Sequence, residues 1–233
     1  MLQLYYSTGA PGDCLPSPAP RCHPSIVDFL LHPVETRVLG ALIEKDLATP
    51  DYYPLSLNAL TNACNQKTNR EPVTAYEDAD VRGALESLRD LRLAAFVIES
   101  GSRVEKYRHR MNEMFNLSRG ELALMAVLLL RGPQTLAELR ERTNRMHAFA
   151  DLDAAQHALN KLAAREPEPF VQLLPRIPGT KEPRWAHLFA GEPQFTEAAA
   201  PAPASSPLND RITQLETELR RLREEFEAFK GQF

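Results

Sequence analysis

The sequence predicts a mainly α fold with small β-hairpins, an α+β class, in which one structural unit is used twice and a C-terminal coiled-coil helix follows. Three observations predict it. Apolar residues recur at helical spacing in two successive sets of three segments. After each set the pattern switches to short alternating strands around a turn. Near the C-terminus apolar residues fall into a heptad.

The first set opens at Pro33. Val34, Val38, Leu39, Leu42 and Ile43 lie at helical spacing, Pro33 suits a first turn, and Glu35 suits its positive end. Thr49 and Pro50 close the segment. Ser56 can cap a second helix to Asn65, with Leu57, Leu60 and Cys64 on one face. A third helix fits Asp78 to Leu91, turning Val81, Ala84, Leu85, Leu88 and Leu91 inward. Ala95 to Ile98 reads as a strand, Gly101 and Ser102 as a turn, and Val104 to His109 as the return strand.

The second set restates this order. Ser118 and Glu121 have capping-box spacing before a helix lined by Leu122, Met125, Leu128 and Leu129, which Gly132 and Pro133 stop. Thr135 starts a short helix carrying Leu136 and Leu139. Asp151 to Ala164 is a third helix, with Leu152, Ala155, Ala158, Leu159 and Leu162 inward. Phe170 to Leu174 is a strand, Pro178 and Gly179 a turn, and Pro183 to Phe189 the return. Ala84, Leu85 and Leu88 match Ala158, Leu159 and Leu162 at a constant offset, which also pairs Phe96 and Val97 with Phe170 and Val171. Each copy is expected to enclose its own apolar centre.

The chain then divides into a Pro-rich tail over 1–24, expected to be disordered, and two units over 25–116 and 117–190. An Ala/Pro/Ser linker spans 191–207 and a coiled-coil helix 208–231. Leu208, Ile212, Leu215, Leu219, Leu222, Phe226 and Phe229 form the heptad seam. In a parallel dimer its flanking charges pair Arg211 with Glu216, Glu218 with Arg223, and Glu225 with Lys230, all of opposite sign. A homodimer is the expectation; docking of a single amphipathic helix on its own chain is the alternative.

The 233 residues carry a net charge of −4 and a pI near 5.9, which excludes a wholly basic surface. Cys14, Cys22 and Cys64 make no disulfide framework, and with His23 they lack metal-ligand spacing, so no metal is expected. No apolar run approaches the ~20 residues of a membrane span; the longest is Leu122 to Leu130. With no basic-then-apolar leader, the expected location is the cytoplasm. No Gly-rich phosphate loop, GxSxG or HExxH pattern occurs, and no enzyme activity or cofactor is expected. Glu77, Asp78 and Asp80 suit a helix start better than a catalytic cluster.

The stretch NACNQKTNREPV at Asn62 to Val73 resembles the YceH-like family of bacterial proteins of unknown function. HPVETRVLGALIEKDLATPDYYPLSLNAL, ELALMAVLLLRGPQTLAELR, PFVQLLPR and HLFAGE resemble it too, so the likeness covers about residues 32 to 192. It implies two tandem winged-helix domains and no particular activity.

In a helix-turn-helix the second helix of the motif enters the major groove. The corresponding helices here expose Arg82, Glu86, Arg89, Gln156, Asn160 and Lys161, and the preceding turns offer Asn65, Gln66, Lys67, Asn69, Arg70, Asn144 and Arg145. The first wing carries Arg103, Lys106, Arg108 and Arg110, the second Arg176, Lys181 and Arg184. Such residues meet phosphates and base edges, so duplex DNA is a candidate partner and a transcription-regulatory role the first expectation. Acidic residues at both helix starts, Glu77 to Asp80 and Asp151 with Asp153, oppose phosphate contact. The alternative is a scaffold that uses winged helices to dock a protein partner. The polar run at Asn65 to Arg70 then caps helices and braces its loop.

Overall fold

The computed structural model describes residues 30–98, 104–176 and 182–191, with Lys230. The first half comprises α1 (Pro33–Ala48), a 3₁₀ turn at Pro50–Tyr52, β1 (Leu55–Ser56), α2 (Leu57–Cys64), α3 (Asp78–Asp90), β2 (Ala94–Val97) and β3 (Lys106–His109). After α4 (Met111–Phe115) the second half comprises α5 (Arg119–Arg131), α6 (Leu136–Thr143), α7 (Leu152–Ala163), β4 (Val171–Leu173) and β5 (Trp185–His187). The class is mainly α with small hairpins, and the helix, helix, helix, hairpin order occurs twice.

Local chemistry sets the helix starts. Pro33 occupies the first turn of α1, and Glu35 Oε2 accepts the His32 N–H at 2.8 Å. Ser118 and Glu121 form the reciprocal cap of α5, at 3.3 and 2.7 Å. Ser56, Thr135 and Asp151 cap α2, α6 and α7 by accepting backbone N–H groups. Gly132, at φ +70°, ends α5 in a conformation that disfavours any residue with a Cβ.

The expectation of two separate apolar centres is corrected by the packing. Buried side chains of both halves belong to one continuous cluster. Its axis is the contact between α1 and α5, the first helices of the two copies. Every residue of α5 from Gly120 to Leu130 is buried, so this helix is apolar all round, as a core helix must be. One side packs on α6, α7 and β5, and α1 takes up the rest. Gly40 makes the crossing close: a Cβ there would meet Leu130 Cγ at 2.9 Å and Leu129 Cβ at 3.0 Å.

β3 pairs antiparallel with β2 and with the two-residue β1, giving the order β1-β3-β2. β4 pairs with β5. The strands are shorter than predicted: Ile98 and Val104 lie past the ends of β2 and β3, exposed. The repeat register also differs at the strands. Leu93 N donates to Leu88 O at 2.8 Å and Phe170 N to Leu162 O at 2.9 Å. Leu93 O accepts from Arg110 N, and Phe170 O from Leu188 N. Leu93, not Phe96, is thus the counterpart of Phe170. The helix-to-strand connection is longer in the second copy (164–170 against 91–93), which breaks the constant offset. Accordingly Phe96 is exposed while Phe170 is buried. Leu152, predicted inward, is the first residue of α7 and is 42% exposed, because the helix buries only from Ala155 onward.

Leu31 N donates to Phe189 O at 2.7 Å, so the two ends of this compact unit lie side by side. The tail over 1–24, the hairpin turns at Gly101 and Pro178, the linker beyond Gly191 and the heptad from Leu208 to Phe229 lie outside the described residues, as do Cys14, Cys22, His23, Arg103 and Lys181.

Candidate functional site

The predicted nucleic-acid residues divide into internal braces and solvent-facing groups. Arg70 is the clearest correction: its side chain is 0% exposed. Nε and Nη2 donate to Ala63 O at 3.0 and 2.8 Å, and Nη2 also meets Glu44 Oε2 at 2.6 Å. Nη1 donates to Asn69 O and Nη2 to Gln66 Oε1. A guanidinium spent this way seals the C-terminal end of α2 and is closed to phosphate. Asn65 acts as a backbone surrogate, exchanging two 2.8 Å hydrogen bonds with the Tyr76 main chain. Asn69 sits at φ +61° and its Oδ1 accepts from Arg131 at 2.6 Å. Glu71 N caps Leu130 O at 2.9 Å. The polar run is therefore a strap that fastens the first repeat to the end of α5.

Other arginines do similar work that went unread in the sequence. Arg37 donates to Pro72 O at 2.7 Å and to Cys64 O at 3.2 Å. Arg119 joins the repeats through Leu47 O and Met146 O, at 2.8 and 3.0 Å. Arg165 donates to Phe115 O at 2.6 Å and stacks over the Phe170 ring. Nothing local marks these residues, because each acceptor is a carbonyl distant in sequence.

Three of the cations predicted to lie on wings, Arg108, Arg110 and Arg184, are also engaged. Arg108 and Arg110 both bind Glu113, whose carboxyl is held below its ordinary value by hydrogen bonds from Arg108 and then Arg110. Arg184 reaches Pro133 O at 3.0 Å and Glu138 at 3.2 Å. Lys106 is partly buried in β3. The exposed cations of the predicted set are Lys67, Arg82, Arg89, Arg145, Lys161 and Arg176. The acidic helix starts serve as caps: Asp80 Oδ2 accepts the Glu77 N–H at 2.9 Å, and Asp151 Oδ1 the Ala154 N–H at 2.7 Å.

Arg82 and Arg89 come together with apolar residues rather than with further cations. They share a groove of about 150 Å³ between α3 and the β2–β3 hairpin. α3 supplies Arg82, Glu86 and Arg89; the hairpin supplies Ala95, Phe96, Glu105 and Tyr107. Phe96 stands opposite Tyr107 across the strands and is 48% exposed, with the Arg89 guanidinium 5.9 Å from its ring centre. Among the described residues the lining holds two cations and two acids, and so has no net formal charge. Among the described residues β2 is the edge of its sheet. The Leu93–Arg110 bond fixes the alternation of the ladder, so the N–H and C=O of Ala94 and Phe96 point away from β3.

Two histidines occupy equivalent repeat positions, opposite Ala94 and Val171. His109 Nδ1 accepts the Met111 N–H at 3.3 Å, which leaves the proton on Nε2, 3.1 Å from Asp46. Tyr53 OH accepts the His109 N–H at 2.6 Å. His187 has no such network: its Nδ1 is buried without a hydrogen-bond partner among the described residues, and burial pulls its pKa to about 4. Burial pushes the Cys64 thiol up to about 12, away from thiolate chemistry. Among the described residues no three His, Cys, Asp or Glu side chains are grouped to hold a metal, and no helix is long and apolar enough to cross a membrane.

Residues 31–180 match the family described as "Protein of unknown function, DUF480". A UPF0502 protein of Geobacter sulfurreducens is 50% identical over 220 residues, covering 89% of this chain and 100% of the relative. One from Geotalea uraniireducens is 52% identical over 218 residues, covering 87% and 99%. One from Geotalea daltonii is 53% identical over 197 residues, covering 82% and 89%. These agree with the resemblance carried by Asn62 to Val73.

Proposed function

The chain belongs to the DUF480 (UPF0502) family, whose description carries no activity, and from its geometry we propose that it is a non-enzymatic docking module for a protein partner. The partner segment lies in the groove between α3 and the β2–β3 hairpin, with an apolar side chain on Phe96 and Tyr107. One observation carries this choice: the surface next to the helix expected to read DNA is an exposed aromatic patch with balanced charges. Duplex DNA demands uncompensated cations, and Arg70 and Arg108 are turned to internal partners. The outward N–H and C=O groups of Phe96 also offer main-chain pairing to an added strand.

A DNA-binding, transcription-regulatory role is the second reading, favoured by the exposed Lys67, Arg82, Arg89, Arg145 and Lys161. Dimerisation through Leu208 to Phe229 belongs to both, supported by the opposite-sign pairs along the heptad.

Phe96→Lys separates the two, because a new cation strengthens phosphate binding and spoils an apolar contact. A photo-reactive residue at position 96 should form a discrete protein adduct that the same residue at exposed Tyr52 does not. The partner so identified, once purified, should lose about tenfold or more in affinity for the Phe96→Lys protein. Duplex binding that falls steeply with salt and tightens in Phe96→Lys would overturn docking in favour of DNA.

A further inference from the structure

A second concavity, of about 400 Å³, opens where the two repeats meet, well away in sequence from the α3 groove. We propose that this cleft binds a small organic oxyanion, a carboxylate or phosphate group carried on an apolar body. Its walls come from both repeats: α1 and the Asn69 loop on one side, α5 and the end of α6 on the other. The volume lies in the range of small-molecule sites, about 300–1,000 Å³. Ala48, Val127, Leu130 and Met146 provide the apolar lining, and among the described residues no aromatic ring lines it.

Three guanidiniums, those of Arg131, Arg142 and Arg145, stand on the rim. Each has five N–H donors in a fork that matches a carboxylate or phosphate. Arg131 spends one contact on Asn69 Oδ1 at 2.6 Å, and Arg142 one on Glu138 at 3.3 Å. Arg145 is exposed and makes no ion pair among the described residues. The contrast with Arg70, Arg37 and Arg119, which place their donors on several acceptors each, is the core of the case. These rim donors are held around a partly apolar cleft with capacity left over.

Electrostatics point the same way. Glu44 also lines the cleft, but Arg70 holds its carboxylate at 2.6 Å. Burial, followed by the neighbouring charge of Arg142, makes the charged form of Arg131 harder to keep, and an anion bound between them offsets the repulsion. Glu141 is the remaining acid on the rim and opposes the anion. An occupant would touch both repeats and tighten their joint, which is independent of docking at Phe96.

Calorimetric titration of the full chain tests this, with hexanoate and phenyl phosphate as probes and hexanol and phenol as uncharged controls. Saturable binding of one or both anions and of neither control is expected, and the probe that binds distinguishes carboxylate from phosphate. Arg145→Gln should weaken binding about tenfold, and Glu141→Gln should tighten it a few-fold. Both positions are exposed, so melting curves should match the parent and exclude misfolding. The proposal fails if neither anion saturates at millimolar concentration, or if the two variants bind as the parent does. It also fails if duplex DNA displaces the probe at low salt, which would assign these arginines to a nucleic-acid backbone.

Discussion

Gly40→Ala probes the closest approach between the repeats. In a helix interior, replacing Gly by Ala is ordinarily stabilising by about 0.5–1 kcal/mol. At Gly40 the new methyl would sit 2.9 Å from Leu130 Cγ, 3.0 Å from Leu130 Cδ2 and 3.0 Å from Leu129 Cβ. Leu129 Cβ is fixed to its backbone, so α1 and α5 must separate. Overpacking of this kind costs about 1–3 kcal/mol, which outweighs the helix gain. A net loss of about 1 kcal/mol follows, or roughly 2–4 °C in Tm. Gly83→Ala in α3 is the internal control, since its added Cβ meets nothing within 4 Å. It should raise Tm. Urea and thermal unfolding by circular dichroism, on the same day and buffer, read both. Stabilisation of the Gly40 variant to the same degree as the Gly83 variant would refute the close crossing. Two resolved unfolding transitions within the unit would refute the single core.

Three further outcomes are expected. Arg70→Met should destabilise by about 3–5 kcal/mol in urea unfolding, because Glu44 and Ala63 O lose their partner inside the protein. Native-like stability would mean that the strap is dispensable. His187 is held neutral, its folded pKa near 4 against 6.5 unfolded, so its contribution is whole above pH 6.5 and is lost on acidification toward pH 4, up to about 3 kcal/mol. His187→Leu should flatten that part of the pH profile of the urea midpoint, and an unchanged slope would place the acid sensitivity elsewhere. Light scattering should report a single copy for a chain ending at Gly191 and two copies for the full chain, with two copies in both excluding the heptad as the dimer seam.

What local chemistry encodes was open to sequence reasoning. Ser118 with Glu121, Ser56 and Asp151 announce helix starts within a few residues, and the structure places caps there. β1 and α4 are too short for any periodicity to stand out. The strand register was hidden because a constant offset cannot survive the longer connection before Phe170. The fate of Arg70 was hidden because a polar run reads as surface, whereas its acceptors, Glu44 and Ala63, come from other elements. One signal of the shared core was present in the apolar run Leu122 to Leu130. Helical spacing assigns it one inward face, Leu122, Met125, Leu128 and Leu129, whereas an unbroken apolar run of this length marks a helix with no face left for solvent. For the candidate site, helix faces predicted Arg82 and Arg89 correctly as exposed, but nothing in their spacing disclosed the aromatic neighbours beside them.

The bond from Leu31 N to Phe189 O has a consequence for the order of the two halves. Because the chain enters and departs at one spot, a short tether could join those ends and a cut before Ser118 could open new ones. The resulting permuted polypeptide would synthesise α5 before α1 while keeping the same crossing at Gly40. The contact between α1 and α5 would then be made in either order of synthesis.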